Sequence, residues 1–122
     1  MFDGRAEEAM NFYLSVFDGA RITSLERFGP EGPGKPGTIY SAFLEVGGNR
    51  LRFFDSPMKH AFTFTPAISL FISGLDEAAQ ERIYTALSDQ GQALMPLAEY
   101  PGIKRFAWVQ DRFGVSWQLS LL

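Results

Sequence analysis

The stretch D-R-F-G-V-S-W-Q, residues 111–118, joins a tight turn to the start of a strand. Asp111 can accept hydrogen bonds from its own turn, and Gly114 permits a positive φ, so the stretch predicts a turn there. From Val115 onward apolar and polar residues alternate, which is typical of a strand with one buried face. Gln118 falls on the polar side, and its role depends on whether that side faces solvent or a ligand.

The bulk composition narrows the class of protein. The chain has 122 residues, which is enough for one domain with its own core. It has no cysteine, which excludes disulfides and thiolate metal sites. The absence of cysteine is compatible with the cytoplasm, where we expect the protein to be located. The residues after Met1 show no basic and apolar leader, so we expect neither a signal peptide nor a membrane anchor. A net charge of -3, with both signs scattered, gives no basic stripe for nucleic acid.

The aromatic content is high for a chain of this length. Twelve Phe, four Tyr and two Trp exceed what one modest core requires, which indicates that some line a cavity or an interface. The alternative is an aromatic-rich core and nothing more.

Periodicity predicts two helices and seven strands. The helices cover residues 6–17 and 76–90; Ser73 and Asp76 resemble a capping box for the second, and Gly91 marks its end. The predicted strands are residues 20–28, 38–46, 50–55, 66–73, 92–99, 104–110 and 115–121.

The order of these elements repeats with one piece missing. The second half reads strand, helix, three strands, and the first half reads helix, three strands; Gly48 aligns with Gly114 at a shift of 66 residues (114 − 48). The counterpart of strand 66–73 would precede Met1, so either the chain is short at this end or it folds without that strand or borrows one from a partner chain. We therefore predict an α+β fold of two βαβββ modules, with the first strand of module one largely absent.

Residues 29–36, G-P-E-G-P-G-K-P, match most of the phosphate-loop sequence pattern but lack the groups that bind a phosphate. Three prolines remove backbone N–H donors, and Pro36 stands where a hydroxyl residue is required. A strand follows instead of a helix, so we predict a stiffened hairpin loop. No other Gly-rich turn suits a dinucleotide or S-adenosylmethionine.

Three ordered stretches carry a family resemblance: F-D-G-R-A-E-E-A-M-N-F-Y at residues 2–13, F-T-P-A-I-S at 64–69, and D-R-F-G-V-S-W-Q at 111–118. With the repeated module, they resemble the PhnB-like subgroup of the vicinal oxygen chelate superfamily (glyoxalase, bleomycin-resistance proteins, dioxygenases). This subgroup is often labelled 3-demethylubiquinone 3-methyltransferase-like. The resemblance implies a single domain over residues 1–122, with module one at 1–58 and module two at 64–122.

The resemblance also implies where metal ligands would lie, on the first and last strands of each module. Gln118 stands where a Glu is expected, its counterpart is Arg52, and Ala67 or Ser69 stands where a His is expected. A guanidinium repels a divalent cation and an amide oxygen is a weak ligand, so we predict no metal and no cofactor. A metal would instead need acidic residues, a partner chain or His60, the single histidine, which is otherwise a surface loop residue.

Strand alternation places a small set of polar residues among aromatic ones on the predicted concave face of the sheet. Arg52 can pair with a carboxylate or phosphonate, and Gln118 offers both a donor and an acceptor. The alternative is that these residues form the solvent side of a half-exposed sheet. The predicted ligand-binding residues are Arg52, Phe54, Ser69, Phe71, Trp108, Ser116 and Gln118, with Phe106 as a further candidate.

These expectations favour a homodimeric small-molecule-binding protein with its pocket on the concave sheet face and no assigned reaction. The alternative within the same superfamily is a metal-dependent isomerase, lyase or dioxygenase. A third class, a protein-interaction domain, would show an exposed apolar patch and no pocket.

Overall fold

The computed structural model describes residues 1–121 and divides the chain into two compact units, Met1–Ala61 and Phe62–Leu122. Unit 1 contains α1 (Ala6–Val16), β1 (Arg21–Arg27), β2 (Ile39–Val46) and β3 (Asn49–Phe53). Unit 2 contains β4 (Ser69–Leu75), α2 (Glu77–Ser88), β5 (Gln92–Tyr100), β6 (Ile103–Gln110) and β7 (Ser116–Leu121). Among residues 1–121, neither helix has the length and apolar character needed to cross a membrane.

Unit 1 is an antiparallel sheet, in the order β1-β2-β3, with α1 packed on one face. The helix buries Ala6, Ala9, Met10, Tyr13 and Val16, which recur at helical spacing. The Tyr13 ring lies 5.9 Å from the ring of Phe53, measured between centroids, and both side chains are buried. This face therefore forms the core of the unit, and the opposite face carries the polar positions of the strands.

Unit 2 contains a sheet in the order β4-β7-β6-β5, in which β4 runs parallel to β7 and the other neighbours are antiparallel. Helix α2 packs on this sheet through Ile83 and Leu87. Trp117 and Leu119 on β7 are buried, as the alternation of the last strand predicts.

The counterpart of β4 in unit 1 is a single bridge. Phe2 pairs in parallel with Asp55. The Phe2 N–H donates to the Phe54 carbonyl, and the Phe2 carbonyl accepts from the Ser56 N–H. With the shift of 66, Asp55 falls on residue 121 (55 + 66), and Leu75 pairs with Leu121 at the end of β4. In unit 1 Phe2 therefore takes the position that Leu75, at the end of β4, takes in unit 2.

The proline-rich loop at residues 29–36 joins β1 to β2, and these two strands pair antiparallel, which confirms the predicted hairpin. A Cβ on Gly34 would lie 2.6 Å from the Phe28 ring, so a glycine is required for the loop to fold over this buried aromatic side chain.

Two details of helix α2 differ from the sequence expectation. Asp76 is itself the N-cap, with its side chain accepting from the Ala79 N–H at 2.7 Å, so Ser73 takes no part and lies within β4. At the other end Gln90, with φ 60°, takes the left-handed position. Gly91 is needed for a different reason, because a Cβ there would lie 2.4 Å from the Gln110 carbonyl oxygen.

Strand β4 also begins later than residues 66–73 predict. Residues 66–68 form a turn, in which the Ala67 N–H donates to Thr65 Oγ1 at 3.4 Å. A strand that began at residue 66 would place Ile68 on the same face as Leu70, whereas Ile68 is 82% exposed, and Ala67 is not a strand position. Of the two residues proposed at the ligand position, only Ser69 lies on the strand.

Candidate functional site

The turn at residues 111–114 is organised by the Asp111 carboxylate. One oxygen accepts from the backbone N–H groups of Phe113 and Val115, at 2.9 and 3.1 Å, and the other accepts from Trp117 Nε1 at 2.8 Å. The turn role predicted for Asp111 is confirmed, and Gly114 has the positive φ, 89°. Because the Trp117 ring is held on the helix side, Ser116 and Gln118 are directed to the opposite face of β7.

The strand registers define a polar face of unit 2 on the side away from α2. Ser69 pairs with Ser116 and Phe71 with Gln118 across the parallel β4–β7 ladder, and Trp108 pairs with Gln118 across β6–β7. Opposed residues point to the same side of a sheet, so five of the predicted site residues share this face. The positions on this face that the strand registers pair are Ser69, Phe71, Phe106, Trp108, Gln110, Ser116, Gln118 and Ser120.

Ser116 lies at the centre of a hydrogen-bonded group on this face and is only 2% exposed. Its Oγ lies 2.6 Å from Ser69 Oγ and accepts from Trp108 Nε1 at 2.8 Å. Burial places Ser116 beneath the surface, so Ser69 and Trp108 are the members of this group that a ligand can reach.

Phe71 and Gln118 form the accessible part of the same face. Phe71, on the edge strand β4, is 61% exposed, which is a large exposed fraction for an aromatic side chain, and the half-buried Gln118 lies opposite it. Within residues 1–121, the Gln118 side-chain amide makes no hydrogen bond. The face therefore offers an apolar ring beside an amide that can both donate and accept. Phe106, by contrast, is buried against Tyr100, with the ring centroids 6.4 Å apart.

Arg52 and Phe54 lie in unit 1, on the face of the sheet away from α1. The Arg52 guanidinium lies over the Phe54 ring at 4.9 Å, and its Nε donates to Ser41 Oγ at 3.2 Å. Arg50 lies in the same way over Phe43, at 3.9 Å. In the described part of the chain, neither guanidinium has a carboxylate within ion-pair distance, so both keep their charge available for an anion.

Unit 2 also contains a cavity of about 420 Å³ that sequence reasoning did not predict. Leu70 and Val115 line it, and by alternation they lie on the opposite side of their strands from Ser69. It shares only Ser116 with the predicted site, and its other lining residues are Thr63, Phe64, Thr65 and Ile68. Because its walls are mainly apolar, it offers little to orient a ligand, and the polar face of unit 2 is the better candidate.

The positions matched to metal ligands do not suit a divalent ion. Ser69 offers a hydroxyl already bonded to Ser116, Gln118 offers a neutral amide, and Arg52 offers a cation. Among residues 1–121 there is no group of three or more His, Cys, Asp or Glu side chains that could hold a metal. His60 is exposed, and its Nε2 lies 2.8 Å from Ser56 Oγ. This position agrees with a surface loop histidine rather than with a metal ligand.

Sequence reasoning missed Asp55, a buried carboxylate that ties unit 1 together. It is 2% exposed; one oxygen accepts from the N–H groups of Gly4 and Ala6, and the other accepts from Ile39 N–H, each at 2.9 Å. It thereby caps α1 from outside, where the N-cap Arg5 supplies no side-chain hydrogen bond. In the sequence, only the position of this acidic residue at the end of an apolar strand indicated such a role.

Comparisons with known proteins agree with the fold. The family model described as 3-demethylubiquinone-9 3-methyltransferase matches residues 1–120. The PhnB protein of Bacillus cereus, whose description names the same methyltransferase, is 46% identical over 100% of this chain and 95% of its own, with a TM-score of 0.95. No match was found among curated proteins.

Two more distant structures are similar in fold alone. The fosfomycin resistance protein FosX of Mesorhizobium loti is 18% identical over 98% of this chain and 85% of its own, with a TM-score of 0.62. Lactoylglutathione lyase of Agrobacterium tumefaciens is 16% identical over 99% and 88%, with a TM-score of 0.59. The chain therefore belongs to the 3-demethylubiquinone-9 3-methyltransferase family, of the PhnB-like kind, and it shares its fold with the two more distant structures.

Proposed function

We propose that this protein binds small, partly aromatic molecules, with a separate candidate surface on the polar face of each unit's sheet. The observation that carries the proposal is the pairing of Phe71 with Gln118, an exposed ring beside an amide that makes no hydrogen bond within residues 1–121. A sheet face that served only to meet solvent would gain nothing from an exposed Phe, whereas a ligand would cover the ring and bond the amide.

In unit 1 the corresponding feature is Arg52 over Phe54. A guanidinium held over a ring loses less side-chain entropy on binding than a free one, and it presents its donors in a fixed plane. This arrangement suits a carboxylate or phosphonate attached to a flat apolar group. Ser41, bonded to Arg52 Nε, contributes to holding that orientation.

Equilibrium dialysis against a set of aromatic compounds tests the proposal, with Phe71→Ala and Gln118→Ala as site variants. Both side chains are accessible, so we expect native melting temperatures and a loss of binding of about tenfold for the compounds that bind. Ile103→Ala is the matched control, because Ile103 is an exposed apolar residue at the β5–β6 connection. Equal binding by all four proteins would reject the site.

A metal-dependent reaction remains the competing proposal, and metal analysis separates the two. Protein prepared without chelators or nickel resin is analysed for divalent ions; the binding proposal expects well under one metal per chain. A stoichiometric metal lost in a Gln118→Ala or His60→Ala variant would overturn it and favour Lewis-acid chemistry.

The homodimer is likewise a proposal. Phe2 bonds the outer edge of β3 at Phe54, so by alternation the backbone groups of Arg50 and Arg52 also point outward from that edge. Among residues 1–121 only Phe2 bonds this edge, and an edge of this kind suits a strand from a second copy. Light scattering should give a mass near 27 kDa, twice the chain mass of 13.6 kDa; a monomer at micromolar concentration would contradict the dimer.

A further inference from the structure

The directions of the hydrogen bonds around Ser116 can be worked out from the available donors and acceptors. An indole nitrogen only donates, so Trp108 Nε1 donates and Ser116 Oγ accepts. The Ser116 hydroxyl still has one hydrogen to place. Its other hydrogen-bond partner in residues 1–121 is Ser69 Oγ, at 2.6 Å.

Burial then decides which serine donates. Ser116 is 2% exposed, so its hydrogen cannot be given to bulk water, and an unmade bond at a buried hydroxyl is costly. Ser116 therefore donates to Ser69 Oγ. The hydrogen of the half-exposed Ser69 hydroxyl is left to point away from Ser116, with no acceptor for it among the described residues.

The positions paired around Ser69 and Ser116 carry no formal charge. From Phe106 to Gln110 on β6 and on the facing parts of β4 and β7 they are serine, glutamine, phenylalanine and tryptophan, and Lys104 lies farther along β6. The Ser69 hydroxyl is the end of a chain that begins at Trp108, and such chains polarise each member, so the terminal donor is strengthened. The exposed Phe71 ring lies two residues along the same strand and on the same face.

We infer that Ser69 is a directed hydrogen-bond donor, and that the ligand of this face is an uncharged, flat, apolar molecule with an acceptor oxygen, such as a ring ketone. The ring system lies on Phe71, and the ketone oxygen accepts from Ser69. The inference rests on the proposed function, since it specifies what the polar face of unit 2 selects.

Three tricyclic compounds of the same shape test it. 9-Fluorenone carries a ketone acceptor, fluorene carries neither acceptor nor donor, and carbazole carries an N–H donor. Measured by equilibrium dialysis on the full chain, fluorenone should bind at least about fivefold more tightly than either, which is the effect of one hydrogen bond of ordinary strength. Equal or tighter binding of carbazole or fluorene by the unaltered protein would overturn the inference.

Variants assign the preference to the hydroxyl. Ser69→Ala should abolish the preference for fluorenone, and Ser69→Thr, which restores a hydroxyl and suits a strand, should recover it. Ser120→Ala is the matched control, because Ser120 lies on the same face but its hydroxyl donates to the Leu121 carbonyl. Retention of the preference in Ser69→Ala would overturn the role of Ser69.

The outcomes also separate this inference from the proposed function. If all three compounds bind equally and Phe71→Ala weakens all of them, the face binds ligands but Ser69 does not select them. If none of the three binds, or if Phe71→Ala changes nothing, the proposed function of this face fails together with the inference.

Discussion

Asp111 and Trp117 are joined by a hydrogen bond of 2.8 Å from the indole N–H to the carboxylate, across the turn that leads into the last strand. Both residues are buried. The same carboxylate accepts two backbone N–H groups, so one side chain sets the turn and also the face on which Trp117 lies.

Replacing Asp111 with Ala should destabilise the protein by about 3 kcal/mol, because two buried donors and one partly buried donor lose a charged acceptor. Urea unfolding measures the change. Asp76→Ala is the matched control: it also removes a carboxylate that accepts a backbone N–H, but at an exposed helix N-cap, where the expected loss is about 1 kcal/mol. Similar losses in the two variants would contradict the central role of Asp111.

Asp55→Ala should be comparably harmful in unit 1, by about 3 kcal/mol, since the N–H groups of Ala6 and Ile39 are left buried without their acceptor. Hydrogen exchange gives a local readout. We expect protection at Ala6 and Ile39 to fall while the amides of β6 and β7 keep theirs. Unchanged exchange at Ala6 would show that the carboxylate does not cap α1.

At the C-terminal end of α2, we expect substitutions of two neighbouring residues to change the stability in opposite directions. Gln90→Gly should raise stability by about 0.5 kcal/mol, because glycine adopts the left-handed conformation without a Cβ penalty. Gly91→Ala should lower it by about 2 kcal/mol or more, because the new Cβ would meet the Gln110 and Leu87 carbonyl oxygens. Thermal melts compare the two; the same sign for both would contradict this assignment of the helix end.

Arg27 hydrogen-bonds the Glu7 carboxylate and lowers the pKa of Glu7 below its ordinary value of 4.5. A lowered folded-state pKa means that the pair contributes stability above about pH 4.5 and loses it as the pH falls through the folded value. Both side chains are partly exposed, so the effect is small and weaker in salt. Glu7→Gln should therefore reduce the stability difference between pH 6 and pH 3, measured by urea unfolding at low salt; an unchanged difference would contradict it.

The local elements could be predicted from the sequence because their signals are local. Periodicity and turn residues placed both helices and all seven strands, with the largest boundary error at β4, where the turn at residues 66–68 replaced the expected strand start. The bridge between Phe2 and Asp55 lies where the repeat in the sequence has its break, just before α1. The helix end at Gln90 was not, because glycine is the stronger statistical signal and Gly91 is present for a packing reason.

The chain's sequence by itself determined the α+β class, the repeated module and the polar side of β7, since alternation and element order need no knowledge of distant contacts. Only the tertiary structure decided what the polar residues do. Ser69 and Ser116 are 47 residues apart in the chain, and Asp55 reaches Ala6 across 49, so their hydrogen bonds depend on sheet register and burial. The direction of the Ser69 hydroxyl follows from both together, because burial of Ser116 leaves its hydrogen one acceptor.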